Sequence, residues 1–170
     1  MNREASARIT LDGGRTNVAT GLAVLDHLLG ELADTGGFAL NLEIAPDEPE
    51  AEVGTAGTAL GEALAALLEA PDAARRGVGI VPSDEALAMV VVEASGKPLV
   101  ASNADLTSTR AGGLQTDLAA AFLASLADAA GLTIHVRLME GNDSQHVLSA
   151  IFKALGAALA QASAPARTSS

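Results

Sequence analysis

Residues 20–44 read TGLAVLDHLLGELADTGGFALNLEI, and the plan of the whole chain can be worked out from this segment. Its leucines recur at helical spacing and predict a helix with one buried face, formed by Leu22, Leu25, Leu28, Leu29 and Leu32. Gly36-Gly37 then ends the helix, because glycine adopts the positive φ of a helix C-cap without steric cost. From Phe38 to Ile44, hydrophobic residues alternate with small or polar ones, which is the period of a half-buried strand.

The second half of the chain repeats this plan. Residues 114–139 hold another leucine-rich segment, a glycine at Gly131 and another alternating segment. The tripeptide Leu-Ala-Asp begins at residue 32 and again at 126, an offset of 94, and Ala-Leu-Gly begins at 59 and at 154, an offset of 95. Such internal similarity indicates a duplication. Two units are too few for a solenoid, so we predict two similar halves packed into one domain.

The order of the predicted elements gives the fold class. Strands and helices alternate irregularly, which is typical of an α+β fold with helices gathered on one side of mixed or antiparallel sheets. We expect a single domain over residues 1–162, with halves of about 1–80 and 81–162. The small, polar residues from 163 to 170 are expected to form a disordered tail.

Turn and periodicity signals predict the other elements. Asp12-Gly13 is a hairpin signal after a short strand at 8–11, and Thr20 is placed to cap the first helix. The acidic connector at 46–52 is expected to be a solvated loop. We also expect a helix at 54–70, a strand pair around a turn at 82–85, a strand at 99–101 and a final helix at 145–161.

Composition excludes several classes of function. The chain has 170 residues, enough for a sizeable core, and a formal net charge of −11 without a cluster of Lys or Arg, which argues against a nucleic-acid partner. It has no cysteine, so disulfides, thiolate nucleophiles and Cys-zinc sites are excluded. No apolar run reaches the roughly 18–20 residues of a membrane span, and no signal-peptide core is present. We therefore expect a cytoplasmic protein with no membrane partner.

Seven segments, in order along nearly the whole chain, resemble the imidazoleglycerol-phosphate dehydratase family of histidine biosynthesis. They are residues 11–13 (LDG), 20–29 (TGLAVLDHLL), 37–38 (GF), 82–87 (PSDEAL), 95–98 (SGKP), 132–135 (LTIH) and 152–154 (FKA). The resemblance implies a duplicated α+β fold, of the type called ribosomal protein S5 domain 2-like. It also implies a symmetric homo-oligomer built from trimers, and a site at subunit interfaces that holds two Mn²⁺ ions. The implied reaction is loss of water from imidazoleglycerol phosphate, which gives imidazole-acetol phosphate.

The resemblance carries over only part of the metal-binding set. His27 matches the first-half helix histidine, whereas its second-half counterpart falls on Ala121. The two HHxxE sets of the family fall on residues 50, 51 and 54 (Glu, Ala, Gly) and on residues 145, 146 and 149 (Gln, His, Ser). The candidate metal ligands are therefore His27, His146 and Glu50. Two histidines and one carboxylate could hold one ion but not two, so it stays open whether Mn²⁺ binds at all.

Other charged residues are candidates for the substrate. The resemblance places Asp84 and Glu85 at the site as catalytic acids. It places Arg75, Lys97 and Lys153 near the substrate phosphate, although lysine lacks the bidentate geometry of arginine. The alternative for each of these residues is a solvated surface charge. The third histidine, His135, is outside the ligand set and is expected to be structural.

Two functional hypotheses follow. The first is a hydro-lyase of histidine biosynthesis acting on a small phosphorylated imidazole. The second is a non-catalytic relative that keeps the fold, and with it phosphate-ligand binding or an assembly role, because most metal ligands are missing. The loss of bridging ligands also predicts a trimer or a smaller oligomer.

Overall fold

The structure is a computed structural model that describes residues 6–10, 15–104, 110–111 and 114–166. The first half contains β1 (Ser6–Thr10), β2 (Asn17–Ala19), α1 (Ala23–Gly36), β3 (Ala39–Glu43) and α2 (Pro49–Leu68). The second half contains β4 (Arg76–Ser83), β5 (Ala86–Glu93), β6 (Leu99–Ser102), β7 (Arg110–Ala111), β8 (Leu114–Gln115), α3 (Thr116–Ala130), β9 (Thr133–Glu140) and α4 (Ser144–Ser163). The fold is α+β, as the sequence predicts.

Sheet topology confirms the duplication. The first sheet has the strand order β1-β3-β2, with β1 antiparallel and β2 parallel to β3. The second has the order β4-β5-β9-β6, with β5 antiparallel and β6 parallel to β9. The three strands β5-β9-β6 therefore repeat β1-β3-β2, and β4 is an addition at the edge. Adding 95 to the bounds of α2 gives 144–163, which are the bounds of α4.

The four helices lie against the sheets as two crossed pairs, each with one helix from either half. Helix α1 packs on α4, and α2 packs on α3. A Cβ at Gly156 of α4 would lie 2.1 Å from the carbonyl oxygen of Leu32, and one at Gly61 of α2 would lie 3.0 Å from that of Leu126. The repeated Ala-Leu-Gly and Leu-Ala-Asp motifs thus meet where the helices cross, because glycine lets the two backbones approach closely.

The core is made of aliphatic side chains and three phenylalanines, Phe38, Phe122 and Phe152. The predicted leucines of α1 from Leu25 to Leu32 are buried, as are the inward residues of β9. Phe122 of α3 and Phe152 of α4 stack with ring centroids 5.6 Å apart, which joins the two helix pairs. Among the helices described, none is both long and apolar enough to cross a membrane.

Four local predictions are wrong. Helix α1 begins at Ala23 after the extended Leu22, and Thr20 is not its N-cap. Residues 49–52 of the acidic connector form the first turn of α2, because Pro49 has the φ that a helix start requires. Strand β1 pairs with β3 and not with β2, so the expected hairpin is absent from the described strands, and its turn at 11–14 lies outside the described residues.

The fourth concerns the expected disordered tail. Ser163 is the last residue of α4, and Pro165 forms an isolated bridge with Ala73. The amide of Ala166 donates to the carbonyl of Asp72. Residues 163–166 are therefore held against the loop before β4, while residues 167–170 lie outside the described part of the chain.

Candidate active site

The two-residue turn between β4 and β5 presents Asp84 and Glu85 toward the start of α4. Ser83 pairs with Ala86 across the hairpin, so the connection is formed by Asp84 and Glu85 alone. Asp84 has φ of 51°, a left-handed conformation that aspartate tolerates better than most residues with a side chain. The tightness of this turn fixes the position of both carboxylates relative to α4.

Glu85 binds the segment that leads into α4. Its Oε1 accepts from the backbone amides of Asp143, at 3.0 Å, and of Asn142, at 3.4 Å, and its Oε2 lies 2.6 Å from His146 Nδ1. These interactions, led by the amide of Asp143, lower the pKa of Glu85 from 4.5 to about 2. A carboxylate this acidic stays ionised near neutral pH and is a weak proton acceptor.

His146 lies between the two carboxylates of the turn. Glu85 Oε2 contacts Nδ1 of the imidazole, and Asp84 Oδ2 is 3.4 Å from Nε2. The hydrogen bond with Glu85 is the main cause that raises the pKa of His146 above its ordinary 6.5. The side chain of Asp143 caps α4 by accepting from the backbone amides of Gln145 and His146. The imidazole of His146 is therefore positioned both by the β4–β5 turn and by the start of α4. His146 therefore has one nitrogen fixed by Glu85 and one directed toward Asp84.

A second polar group joins α1 to α4. His27 Nε2 is 2.8 Å from Glu31 Oε1, one helical turn away, and the hydroxyl of Ser149 donates to Glu31 Oε2. Ser149 is one turn after His146, so this group continues along the same side of α4. The sequence prediction missed Glu31, although its i, i+4 spacing from His27 was a usable signal.

The equivalent positions of α2 and α3 carry no such group. The repeat offsets of 94 and 95 make Ala121, Ser125 and Gly54 the equivalents of His27, Glu31 and Ser149. A Cβ at Gly54 would lie 3.8 Å from Ser125 Oγ. His146 corresponds to Ala51. A surface depression of about 520 Å³ lies at this part of α2, lined by Ala51, Gly54, Thr55, Thr58, Ala59 and Glu62.

The candidate metal ligands do not converge. Among the residues that the structure describes, no three His, Asp or Glu side chains are arranged to hold a metal ion. Asp84 and the Nε2 nitrogen of His146 provide two donors, one fewer than protein sites usually supply. Glu50 is on the exposed first turn of α2, in the other helix pair from His27 and His146. The donor set in the described part of one chain therefore does not fit a metal centre.

The predicted phosphate ligands are at two separate places. Lys153 is seven residues after His146 and so faces the same side of α4. Arg75 donates to the carbonyl of Ala94, and Lys97 is in the following turn. Both are at the end of β5 opposite the Asp84–Glu85 turn, about 26 Å away for eight strand residues. Within one chain, Arg75 and Lys97 are not part of the cluster around His146.

The motif Thr20-Gly21 positions the start of α1. The amide and hydroxyl of Thr20 both donate to Asp26 Oδ1, at 2.8 and 2.5 Å. Gly21 has φ of 89°, a backbone conformation that residues with a side chain rarely adopt, and a Cβ there would displace the Glu52 carboxylate, 2.1 Å away. This explains in physical terms why a Thr-Gly pair precedes the histidine-bearing helix.

Comparison with known proteins agrees with this fold and these motifs. The chain matches the family model of imidazoleglycerol-phosphate dehydratase over residues 20–159. The imidazoleglycerol-phosphate dehydratase of Acetivibrio thermocellus is 36% identical over 156 residues, which are 89% of this chain and 80% of that protein. The one from an Anaeromyxobacter species is 37% identical over 167 residues, which are 95% of this chain and 82% of that protein.

Solved structures give the same result. The imidazoleglycerol-phosphate dehydratase of Staphylococcus aureus superposes with a TM-score of 0.88 at 30% identity, covering 96% of this chain and 95% of that one. The corresponding enzyme of Pyrococcus furiosus superposes with a TM-score of 0.85 at 28% identity, covering 98% and 93%. The similarity therefore spans both halves and both sheets. On sequence and on structure, this chain belongs to the imidazoleglycerol-phosphate dehydratase family.

Proposed function

We propose that this chain is a hydro-lyase of histidine biosynthesis that works in the cytoplasm and converts imidazoleglycerol phosphate to imidazole-acetol phosphate. Family membership over nearly the whole chain supports the substrate class. The observation that carries the proposal is the cluster of Asp84, Glu85 and His146, in which one histidine is held between two carboxylates at a fixed turn.

The cluster has the groups that a dehydration needs. The reaction removes a proton from one carbon and a hydroxyl group, protonated as it leaves as water, from its neighbour. The enol that results becomes the ketone of imidazole-acetol phosphate when a proton is returned to the carbon that lost the hydroxyl. Asp84 is more exposed than Glu85 and is the acceptor for the carbon-bound proton. His146, whose raised pKa favours the imidazolium, donates a proton to the departing hydroxyl. Glu85 positions the ring and does not exchange the proton itself, because its pKa is too low.

Mn²⁺ is the cofactor that the resemblance implies. Because the described part of one chain supplies two converging donors at most, we assign the metal no step in the reaction. Whether turnover depends on it is tested by addition and chelation.

The separation of the cations supports a homo-oligomer. Arg75 and Lys97 are about 26 Å from the Asp84–Glu85 turn along β5, a distance longer than this small substrate. A substrate held at His146 could meet these cations only if a second copy supplied them. We therefore propose that the site lies between copies, in a trimer or a smaller oligomer.

Turnover of imidazoleglycerol phosphate by the purified chain is the direct test. The product would be followed by mass spectrometry, with added Mn²⁺ and again after chelation. We expect turnover that Asp84→Asn lowers by about 10²–10⁴-fold, the usual contribution of a general acid or base. Absence of turnover from folded protein under all conditions would contradict the proposal.

A second function is the alternative that the sequence analysis raised. Helices α2 and α3 carry Ala51, Gly54 and Ala121 where the resemblance predicts metal ligands. A chain without these ligands could bind the phosphorylated imidazole without converting it. Calorimetry separates the two functions, since heat of binding without product indicates a binding protein, whereas product formation indicates the dehydratase.

A further inference from the structure

Strand β4 is bordered at both ends by a residue in a left-handed backbone conformation. Among the described residues other than glycine, those with a positive φ are Arg75, at 67°, and Asp84, at 51°. They come directly before and directly after β4. Aspartate adopts this conformation more readily than most residues with a side chain, whereas arginine has no such preference. Strained residues persist only where the surrounding structure fixes them, and they are concentrated at functional sites.

The backbone of Arg75 is fixed by hydrogen bonds on both sides. Its amide donates to the carbonyl of Ala162, near the end of α4, and its carbonyl accepts from the amide of Ala94, both at 2.8 Å. Its guanidinium donates to the carbonyl of Ala94 at 3.0 Å. Arg76, by contrast, is paired with Glu93 at 3.2 Å. Because Arg75 contacts a neutral carbonyl with one of its five N–H groups, the rest of this exposed side chain is available to an anion.

The chain around Arg75 is also held by the end of α4 and the residues that follow it. We call residues 161–166 the C-terminal latch. Three more hydrogen bonds join the latch to the start of β4 and to the loop before it: Ala74 N–H to the Ala164 carbonyl at 2.8 Å, Ala166 N–H to the Asp72 carbonyl at 2.8 Å, and Val78 N–H to Gln161 Oε1 at 2.6 Å. The latch therefore fixes the chain before, at and after Arg75. It lies outside residues 20–159, which the family model matches.

We propose that the C-terminal latch is a positioning element for Arg75, which keeps this residue in its left-handed conformation and so holds its guanidinium where it binds the phosphate of the substrate. The inference rests on the proposed function, in which Arg75 belongs to the phosphate side of the site. Without the latch, Arg75 would relax to the negative φ that arginine prefers, and its guanidinium would leave the carbonyl of Ala94.

The first experiment tests the strain at Arg75 by urea unfolding. Arg75→Gly and Arg75→Ala remove the same guanidinium, so the difference between them reports on the backbone alone. Because glycine adopts a positive φ without steric cost, we expect Arg75→Gly to unfold at a higher urea concentration than Arg75→Ala. The same two substitutions at Arg76, whose φ is not positive, are the control and should give the opposite order. A result at Arg75 in the same order as at Arg76 would overturn the proposal.

The second experiment measures binding of inorganic phosphate by calorimetry and turnover of imidazoleglycerol phosphate by steady-state kinetics. Ala74→Pro removes an amide that donates to the latch and leaves the side chain of Arg75 in place. We expect it to raise the dissociation constant of phosphate and KM by about 10-fold, with kcat within about twofold of the wild type, because the Asp84–Glu85 turn is at the other end of β4. Gln161→Ala should have a smaller effect in the same direction. Ala45→Pro, in the exposed connector before α2, is the matched control and should bind phosphate as the wild type does.

A double variant tests whether the latch acts through Arg75. Because Arg75→Ala already removes the guanidinium, adding Ala74→Pro to it should weaken phosphate binding no further. Circular dichroism confirms the fold of each variant, and Gln161→Ala decides the outcome where Ala74→Pro does not fold. Unchanged phosphate affinity in the folded latch variants, an additive loss in the double variant, or no phosphate binding by the folded wild type would each overturn the proposal. Latch-dependent phosphate binding without turnover would support this inference and contradict only the dehydratase activity.

Discussion

The two helix pairs have the same plan but differ in what their polar positions hold. In the α1–α4 pair, His27, Glu31 and Ser149 form a hydrogen-bonded group, whereas the matching positions of the α2–α3 pair hold Ala121, Ser125 and Gly54. The glycines at the helix crossings, Gly61 and Gly156, are kept in both pairs. The close packing is therefore present in both pairs, whereas among the described residues the hydrogen-bonded set of polar side chains at these positions is found in the α1–α4 pair only.

The largest expected effect concerns the crossings that the two pairs share. Gly156→Ala places a Cβ 2.1 Å from a backbone oxygen, and Gly61→Ala places one 2.6 Å from the nearest atom, the Cβ of Ala129. Backbone cannot give way as a side chain can, so we expect a loss of about 3 kcal/mol for Gly156 and about 1–2 kcal/mol for Gly61. Urea unfolding measures both.

Gly30→Ala is the control for these substitutions. Gly30 is inside α1, and a Cβ there would meet nothing within 4 Å. Alanine should raise the free energy of unfolding by about 0.5–1 kcal/mol at this position. If Gly156→Ala behaved like Gly30→Ala, the close crossing of α1 and α4 would be wrong.

The next largest effect is a difference in stability change between substitutions at matching polar positions of the two helix pairs. Ser149 is buried and donates to the carboxylate of Glu31, so Ser149→Ala should cost about 1–2 kcal/mol of stability. Gly54→Ser makes the reverse change at the matching position of α2, where a side chain has room, and should shift stability by about 0.5 kcal/mol or less. Chemical denaturation of both variants checks this, and equal losses would remove the distinction between the pairs.

The smallest expected effect is a pH dependence confined to the start of α4. Glu85 has a lowered pKa, so its contribution to stability is complete above its ordinary 4.5 and is lost as pH falls toward about 2. His146 has a raised pKa, so its contribution is complete below 6.5 and is lost as pH rises through the folded value. The contribution of this pair is greatest between pH 4.5 and 6.5 and falls on either side, which urea midpoints measured from below pH 4.5 to above pH 6.5 would detect.

Two substitutions, one beside α4 and one on α2, test whether this pH dependence of stability arises at the start of α4. Glu85→Gln should flatten the profile on the acid side and weaken the alkaline loss, because it removes the partner of His146. Glu62→Gln, on α2, changes the same charge in the other helix pair and should leave the profile as in the wild type. An equal change in both variants would show that the dependence does not come from this cluster.

The sequence was sufficient for most of the fold, and it singled out Asp84, Glu85 and His146, which the structure brings together. Periodicity predicted the leucine face of α1, and the repeated motifs predicted the duplication because they are the residues at the helix crossings. Residues 49–52 were misassigned because their acidic composition outweighed the helix-start signal of Pro49. The separation of Lys97 from Asp84 could not be predicted, since spacing along the chain does not say which end of a sheet a turn occupies.

The most direct test of the account is turnover of imidazoleglycerol phosphate by three proteins compared side by side. They are the wild type, Asp84→Asn at the β4–β5 turn, and Thr58→Ala on the α2 side. The account predicts product from the wild type and from Thr58→Ala at equal rates, and a loss of about 10²–10⁴-fold in Asp84→Asn. Equal rates in all three, or no product from folded wild type, would contradict the placement of the chemistry beside α4.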